Sequence, residues 1–380
     1  MRVEKLCNKI DIKKYLKELN VDSGGIAILA SKATTHLISI ENLHVGGANI
    51  LKQDALSVGA DLAVPRGTVL AATPQVDCLL IATTRQLEIL AKKELAQPFG
   101  LKDLALKLKE FTQVKKPSDV QIMGVINAND DSFFQESRFR DEDAVRKIEQ
   151  MIEEGAAIID VGGVSSRPNA ALVSAQEELA RVKPILDLIG EKKLYERAQF
   201  SIDSYEPSVI KYALESGFTV VNDITGLAND EVCRLCAEYD ATAVIMHMQG
   251  TPQTMQDNPE YASVLSDVYS FFEERIAKAE RFGIQDILLD VGIGFGKSLE
   301  DNLKLIKHLE HFLTLEKKLL VGASRKSMID KITPCEIQQR LSGTLTLHLE
   351  AVRNGASIVR VHDVYEHSQA FKVQKRLDTI

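Results

Sequence analysis

The chain has 380 residues, enough for about two or three domains by length alone. Hydrophobic residues make up 45% and charged residues 26%, an ordinary globular composition, and no apolar run approaches the ~18 residues that a membrane-spanning helix needs. The net charge of -8 argues against a broad nucleic-acid surface and leaves room for a local anion site.

The N-terminal stretch "MRVEKLCNKIDIKKYLKEL" is charged throughout and lacks the apolar core of a secretory signal, so a cytoplasmic protein is expected. Within it "IDIKKYLKEL" reads as a helix. "GIAILAS" and "VDCLLIATT" read as strands, and "RQLEILAKKEL" as a helix. "LKDLALKLKEF" reads as a connecting helix and "VKKPSD" as a linker. Residues 1–115 are therefore expected to form a small α/β accessory domain, and no catalytic constellation is legible in it.

From about residue 120 the pattern becomes regular, with apolar runs alternating with amphipathic helices, as parallel strands covered on both faces require. "VQIMGVIN", "AIIDVGG", "QFSIDSY", "TVVNDIT", "ATAVIMHMQ", "DILLDVG", "KLLVGAS" and "SIVRVHDV" are the strands, and each is followed by a helical pattern. Eight strand-helix units over about 260 residues predict a (β/α)8 TIM barrel across residues 116–380, preceded by the small α/β domain. The strands end in Asn127, Gly162-Gly163, Asp203, Asn222-Asp223, His247, Asp290, Ser324-Arg325-Lys326 and Arg360-His362. Barrel enzymes build their sites at that C-terminal rim, so these polar ends mark the expected site.

Two motifs need separate treatment. Cys233 and Cys236 form a CxxC with no second pair or histidine close by, on a helical pattern that puts both on one face; two core thiols are expected. "DVGIGFGKS", from Asp290 to Ser298, looks like a phosphate-binding P-loop. That pattern requires glycine where this chain has Val291, and the glycine comes one residue late, at Gly292. The stretch is the loop after the sixth barrel strand, its glycines letting the backbone pass close to a ligand.

The strand ends together resemble dihydropteroate synthase, a pterin-binding family of folate biosynthesis. "MGVINANDDSFF" is similar to its first active-site loop and "DVGGVSSRPNA" to its second. "SIDSY", "VVNDITG", "IMHMQGTPQTMQ", "LLDVGIGFGKSLEDNL", "VGASRKS" and "VRVHDV" match the remaining strand ends in family order. The resemblance covers about Lys116 to the C-terminus. It implies a transferase that condenses 6-hydroxymethyl-7,8-dihydropterin diphosphate with p-aminobenzoate, and a family that sulfonamides target. It implies a pterin pocket of Asp203, Asn222, Asp290, Phe295, Gly322 and Lys326, with Asp203, Lys326 and Asn127 as catalytic groups. Asn127, Arg360 and His362 would hold the diphosphate, with Mg2+ on Asn127 and the phosphate oxygens. Ser166, Arg167, Pro168 and Ser327 would bind p-aminobenzoate. Partners are small molecules and a second copy in a homodimer, with neither nucleic acid nor membrane.

The residues leave other roles open: Asp290 as a helix cap, Phe295 as core filler, His362 as a satisfied barrel histidine. The loops also depart from the family pattern. Asn129-Asp130 stands for the usual Thr-Pro, Gln135 for a late Asp, Val164 for Glu, Ser166 for Thr and Asn169 for Gly. Competing readings are a pterin-dependent methyltransferase, which needs no diphosphate site, and a non-catalytic pterin-binding protein.

Overall fold

The computed structural model describes residues 1–7, 10–128, 141–164, 173–255 and 258–379. The chain divides into two compact units, Met1–Val114 with Lys375–Ile380, and Lys115–Gln374. The first unit begins with helices α1 (Ile12–Glu18) and α2 (Ser23–Ala33). "GIAILAS" lies inside α2 and is not a strand. A short apolar run cannot distinguish strand from helix by period, and here the Asp22 side chain accepts from Gly24 N–H at 2.9 Å as a helix N-cap.

Strand β1 (Thr35–His44), helix α3 (Val45–Ser57) and strand β2 (Asp61–Ala63) follow, none of which stands out in the sequence. Strand β3 (Gln75–Thr83) and helices α4 (Thr84–Lys93) and α5 (Leu101–Gln113) fall where the patterns put them. The strands form an antiparallel sheet in the order β1-β3-β2. β3 alternates, with Val76, Cys78, Leu80 and Ala82 buried and Leu79 and Ile81 exposed. Its inner face packs on Leu51, Leu87, Leu90, Leu101 and Leu108.

The second unit is the expected barrel. Parallel strands β4 (Gln121–Asn127), β5 (Ile158–Gly162), β6 (Gln199–Asp203), β7 (Val220–Asp223), β8 (Thr242–Met246), β9 (Ile287–Asp290), β10 (Lys318–Val321) and β11 (Ala356–Val361) pair in chain order. β11 pairs back with β4 and closes the barrel. The intervening helices are α6 (Asp141–Glu154), α7 (Ala175–Glu191), α8 (Pro207–Glu215), α9 (Asp230–Glu238), α10 (Val264–Phe282), α11 (Leu299–Lys307), a short α12 (Ser327–Ile332), α13 (Leu341–Arg353) and α14 (Val364–Asp378).

Side chains alternate along a strand, and the register turns that period into layers. Met123, Ile158, Val220, Val244, Leu288, Leu320 and Ile358 pack together as one buried apolar layer. Fully burying such a side chain stabilises by roughly 1.5–3 kcal/mol. Two residues further along these strands the layer becomes polar, at Asp160, Asn222, Asp290 and Arg360, with Asp203 paired to Asn222. Cys233 and Cys236 on α9 are fully buried, and burial pushes the Cys236 thiol up to about 12, so both are core thiols. Among the described residues no helix is long and apolar enough to cross a membrane.

Candidate active site at the barrel rim

β9 ends in Asp290, which is 7% exposed. The chain then turns through Gly292, Gly294 and Gly296, all with positive φ. Two of these positions require glycine. A Cβ on Gly292 would lie 1.9 Å from the His247 carbonyl oxygen, and one on Gly296 2.5 Å from that of Gln249. The turn brings Gly292 N–H to Asp290 Oδ1 at 2.8 Å. Helix α11 is capped by Ser298 in a capping box with Asp301, so Asp290 is not the cap. Burial raises the Asp290 carboxyl above its ordinary value, while Gly292 N–H, Lys326, Lys297 and Arg360 pull it down. Phe295 is half-buried, with Lys326 Nζ 4.2 Å from its ring centroid, a cation–π contact at the rim rather than core filling.

Arg360, on β11, reaches across the barrel interior. Its Nε donates to Asp160 Oδ2 and its Nη2 to Asp203 Oδ2, both at 2.6 Å. Asp160, from β5, is fully buried and also accepts from Asn222 Nδ2 at 3.1 Å. Burial pushes Asp203 up to about 7 against the pull of Arg360, and Asp160 adds to the push. Burial also works against the charge on Arg360, but the two carboxylates outweigh it and hold the guanidinium above its ordinary value. The sequence reading gave Arg360 to an anion and overlooked Asp160. The signal was there: a lone acid inside the apolar run "AIIDVGG", two residues before the rim glycine.

His362 Nδ1 lies 2.9 Å from Ser324 Oγ, which also accepts from His362 N–H at 3.3 Å. Burial, with Arg360 nearby, lowers its pKa to about 3, so the ring is neutral. Arg325 donates to both oxygens of Asp363, at 2.9 and 2.6 Å, and ties the loops after β10 and β11 together. Gly322 follows β10 beside Arg360. A Cβ there would sit 3.8 Å from Arg360 Cβ, so the protein's own packing does not demand glycine. Ser327 is the exposed first residue of α12, and Lys326 occupies that helix's N-cap position.

Asn127 ends β4 in register with Gly162, and Ala128 N–H donates to Gly162 O at 2.8 Å. The rim thus gathers Asn127, Asp203, Asn222, Asp290, Phe295, Gly322, Lys326, Arg360 and His362 at the strand ends. Ser166, Arg167 and Pro168, and the first loop from Asn129 to Gln135, lie outside the described residues.

A closed barrel with a buried carboxylate, a buried amide and a set of cations at its C-terminal rim defines a barrel enzyme suited to a polar heterocycle joined to an anion. The family model for pterin binding enzymes matches residues 123–362. The bifunctional dihydropteroate synthase/dihydropteroate reductase of Helicobacter pylori is 43% identical over 376 residues, 99% of each chain. The dihydropteroate synthase of Escherichia coli is 41% identical over 259 residues, covering 67% of this chain and 91% of its own. The crystal structure of Yersinia pestis dihydropteroate synthase with a sulfonamide drug complex is 35% identical with a TM-score of 0.66, covering 69% of this chain and 96% of that one. The chain belongs to the dihydropteroate synthases of the pterin-binding enzyme family.

Proposed function

We infer that the protein is a transferase that joins 6-hydroxymethyl-7,8-dihydropterin diphosphate to p-aminobenzoate, giving 7,8-dihydropteroate and diphosphate. The observation that carries this reading is Asp290, a buried carboxylate at the rim with one oxygen on Gly292 N–H and three cations around it. A pterin presents an exocyclic amino group and a ring N–H side by side, and a carboxylate offers acceptors to match. Asn222 and Lys326 take other ring heteroatoms, Phe295 covers the pterin face, and Gly322 leaves space at the ring edge. Asp203 lies near the ring and stabilises positive charge as the leaving group departs.

Asn127, Arg360 and His362 take the diphosphate. Arg360 uses Nε and one Nη2 hydrogen on Asp160 and Asp203, and a guanidinium has five donors, so donors remain for phosphate oxygens. His362, just past the strand that carries Arg360, is held through Nδ1 by Ser324. For Mg2+ the donor here is one neutral amide oxygen at a strand end, which fits an ion that uses few protein ligands. Bound there, it would offset charge on the diphosphate. By the family resemblance, Ser166, Arg167, Pro168 and Ser327 take p-aminobenzoate.

The aniline nitrogen lone pair forms the new C–N bond as the C–O bond electrons leave with diphosphate, and the displaced N–H proton passes to diphosphate or water. A free arylamine is neutral at physiological pH, so no strong base is needed. The protein's work is to place the amine and stabilise the departing anion.

The barrel carries this reaction and the first unit is dispensable for it. The enzyme works in the cytoplasm as a homodimer. A second reading concerns the whole chain. The Helicobacter pylori relative, matched over 99% of both chains, carries a dihydropteroate reductase activity in its name. The Escherichia coli synthase, matched over 67% of this chain, carries no such name. A reductase activity in this chain would transfer two electrons and two protons to dihydropteroate from a donor such as reduced nicotinamide. Diphosphate release that requires p-aminobenzoate and is inhibited by a sulfonamide supports the synthase over a methyltransferase or a passive pterin binder. Release independent of p-aminobenzoate, or none from folded protein, overturns it.

A further inference from the structure

The stretch from Asp290 to Ser298 carries a lysine that the chemistry above does not use. Lys297 stands where a P-loop carries the lysine that reaches a bound phosphate, but its side chain turns into the protein. Its Nζ donates to the carbonyl oxygens of His247 and Gly292, both at 3.0 Å, and of Phe295 at 2.9 Å. An ammonium has three donors, so the set is complete, and the residue is 3% exposed.

The three carbonyls come from two segments, the end of β8 and the turn after β9. His247 N–H in turn donates to Asp290 O at 2.9 Å. Asn302 Oδ1 accepts from Gly294 N–H at 2.7 Å, and Tyr261 OH donates to Gly296 O at 2.5 Å. Asp290 and Phe295, two of the groups assigned to the pterin, therefore flank a turn whose carbonyls one ammonium collects. A buried charge is tolerated when it is fully hydrogen-bonded and opposed by nearby charge; Lys297 has three carbonyl acceptors and feels Asp290 and Asp301.

We propose that Lys297 is a positioning residue for pterin recognition: its ammonium fixes the Gly292–Phe295 turn against His247 and sets a positive charge behind the Asp290 carboxylate. This rests on the reading of Asp290 as the pterin anchor. The charged groups facing Asp290 are Lys326, Lys297 and Arg360; those facing Lys297 are Asp290, Asp301 and Lys326. Burial pulls the ammonium down to about 7, and Asp290 and Asp301 raise it again. The three carbonyls, which only the protonated amine satisfies in full, favour the charged form further. His247 faces the same charge and stays neutral, its pKa lowered to about 3 by burial and then by Lys297.

The test uses the full chain and two variants. Lys297→Met keeps the stem and removes the charge and donors. Lys297→Arg keeps the charge without the compact three-donor tip. Pterin diphosphate affinity is measured calorimetrically first in wild type, over a pH series, and then KM is measured for each substrate. In Lys297→Met we expect the pterin KM to rise about tenfold or more, with the p-aminobenzoate KM at saturating pterin unchanged. The acid midpoint of pterin binding should move up by about one pH unit, because Asp290 has lost a nearby cation. In Lys297→Arg the midpoint should stay near wild type while the pterin KM still rises.

Wild-type KM and midpoint in Lys297→Met overturn the proposal. An equal loss for both substrates with an unchanged pH profile also overturns it, since the lysine then serves the fold alone. If Lys297→Met does not fold, a wild-type pterin KM in Lys297→Arg is the overturning result. Absence of pterin binding in wild type overturns the pterin reading of Asp290 itself, a separate outcome.

Discussion

Replacing Asp290 by Asn changes one atom in the buried centre of the site. The amide keeps an oxygen for Gly292 N–H, now at 2.8 Å from Oδ1, and so turns its NH2 toward the donors of the pterin. A mispaired buried polar group costs about 1–3 kcal/mol. At about 1.4 kcal/mol per tenfold, that is roughly a 5- to 150-fold weaker Kd. Loss of the charge-assisted bonds places the expected effect at tenfold or more. Stability should change little, because burial already disfavours the charged carboxyl and the amide removes that penalty. The assay is calorimetric titration with pterin diphosphate near neutral pH, beside a thermal melt of both proteins. Unchanged affinity in a folded Asp290→Asn protein would refute the anchoring role. In wild type, pterin binding should be lost as pH falls through the raised value of Asp290.

Asp160→Ala should destabilise the protein by about 3 kcal/mol in denaturant unfolding, at the low end for a broken buried pair because Arg360 keeps Asp203. Gly292→Ala should cost at least about 2 kcal/mol in the same measurement and abolish pterin binding, since its Cβ would lie 1.9 Å from a carbonyl oxygen. His247 has a folded pKa of about 3, below its unfolded value, so the unfolded chain binds more protons on the acid side and stability falls as pH drops below about 6.5. At about pH 5.5 this amounts to about 1.4 kcal/mol, so His247→Phe should show a flatter stability profile than wild type over that range. A chain beginning at Lys115 should keep synthase turnover within a few fold; a folded barrel with no turnover would mean that the first unit completes the site.

The barrel was legible because each strand is buried on both faces and reads as an apolar run, "DILLDVG" being typical. The first unit was harder. β1, "THLISIENLH", mixes polar residues into its apolar positions, and the apolar run of α2 carries no period to distinguish it from a strand. Rim residues such as Asp290 and Asn222 announced themselves as polar groups at the ends of apolar runs. Asp160 showed only as a lone acid within an apolar run, and its role stayed hidden because its partner Arg360 is 200 residues away and only the closed barrel brings them together. The direction of Lys297 was equally hidden. It depends on a turn of three left-handed glycines, whose path the linear sequence does not reveal.

The most direct measurement is identification of the product by mass spectrometry after purified full-length protein is incubated with Mg2+, 6-hydroxymethyl-7,8-dihydropterin diphosphate and p-aminobenzoate. Dihydropteroate should appear in step with released diphosphate, and omission of either substrate should abolish both. A folded protein that forms no dihydropteroate under these conditions would contradict the assignment of this barrel as a dihydropteroate synthase.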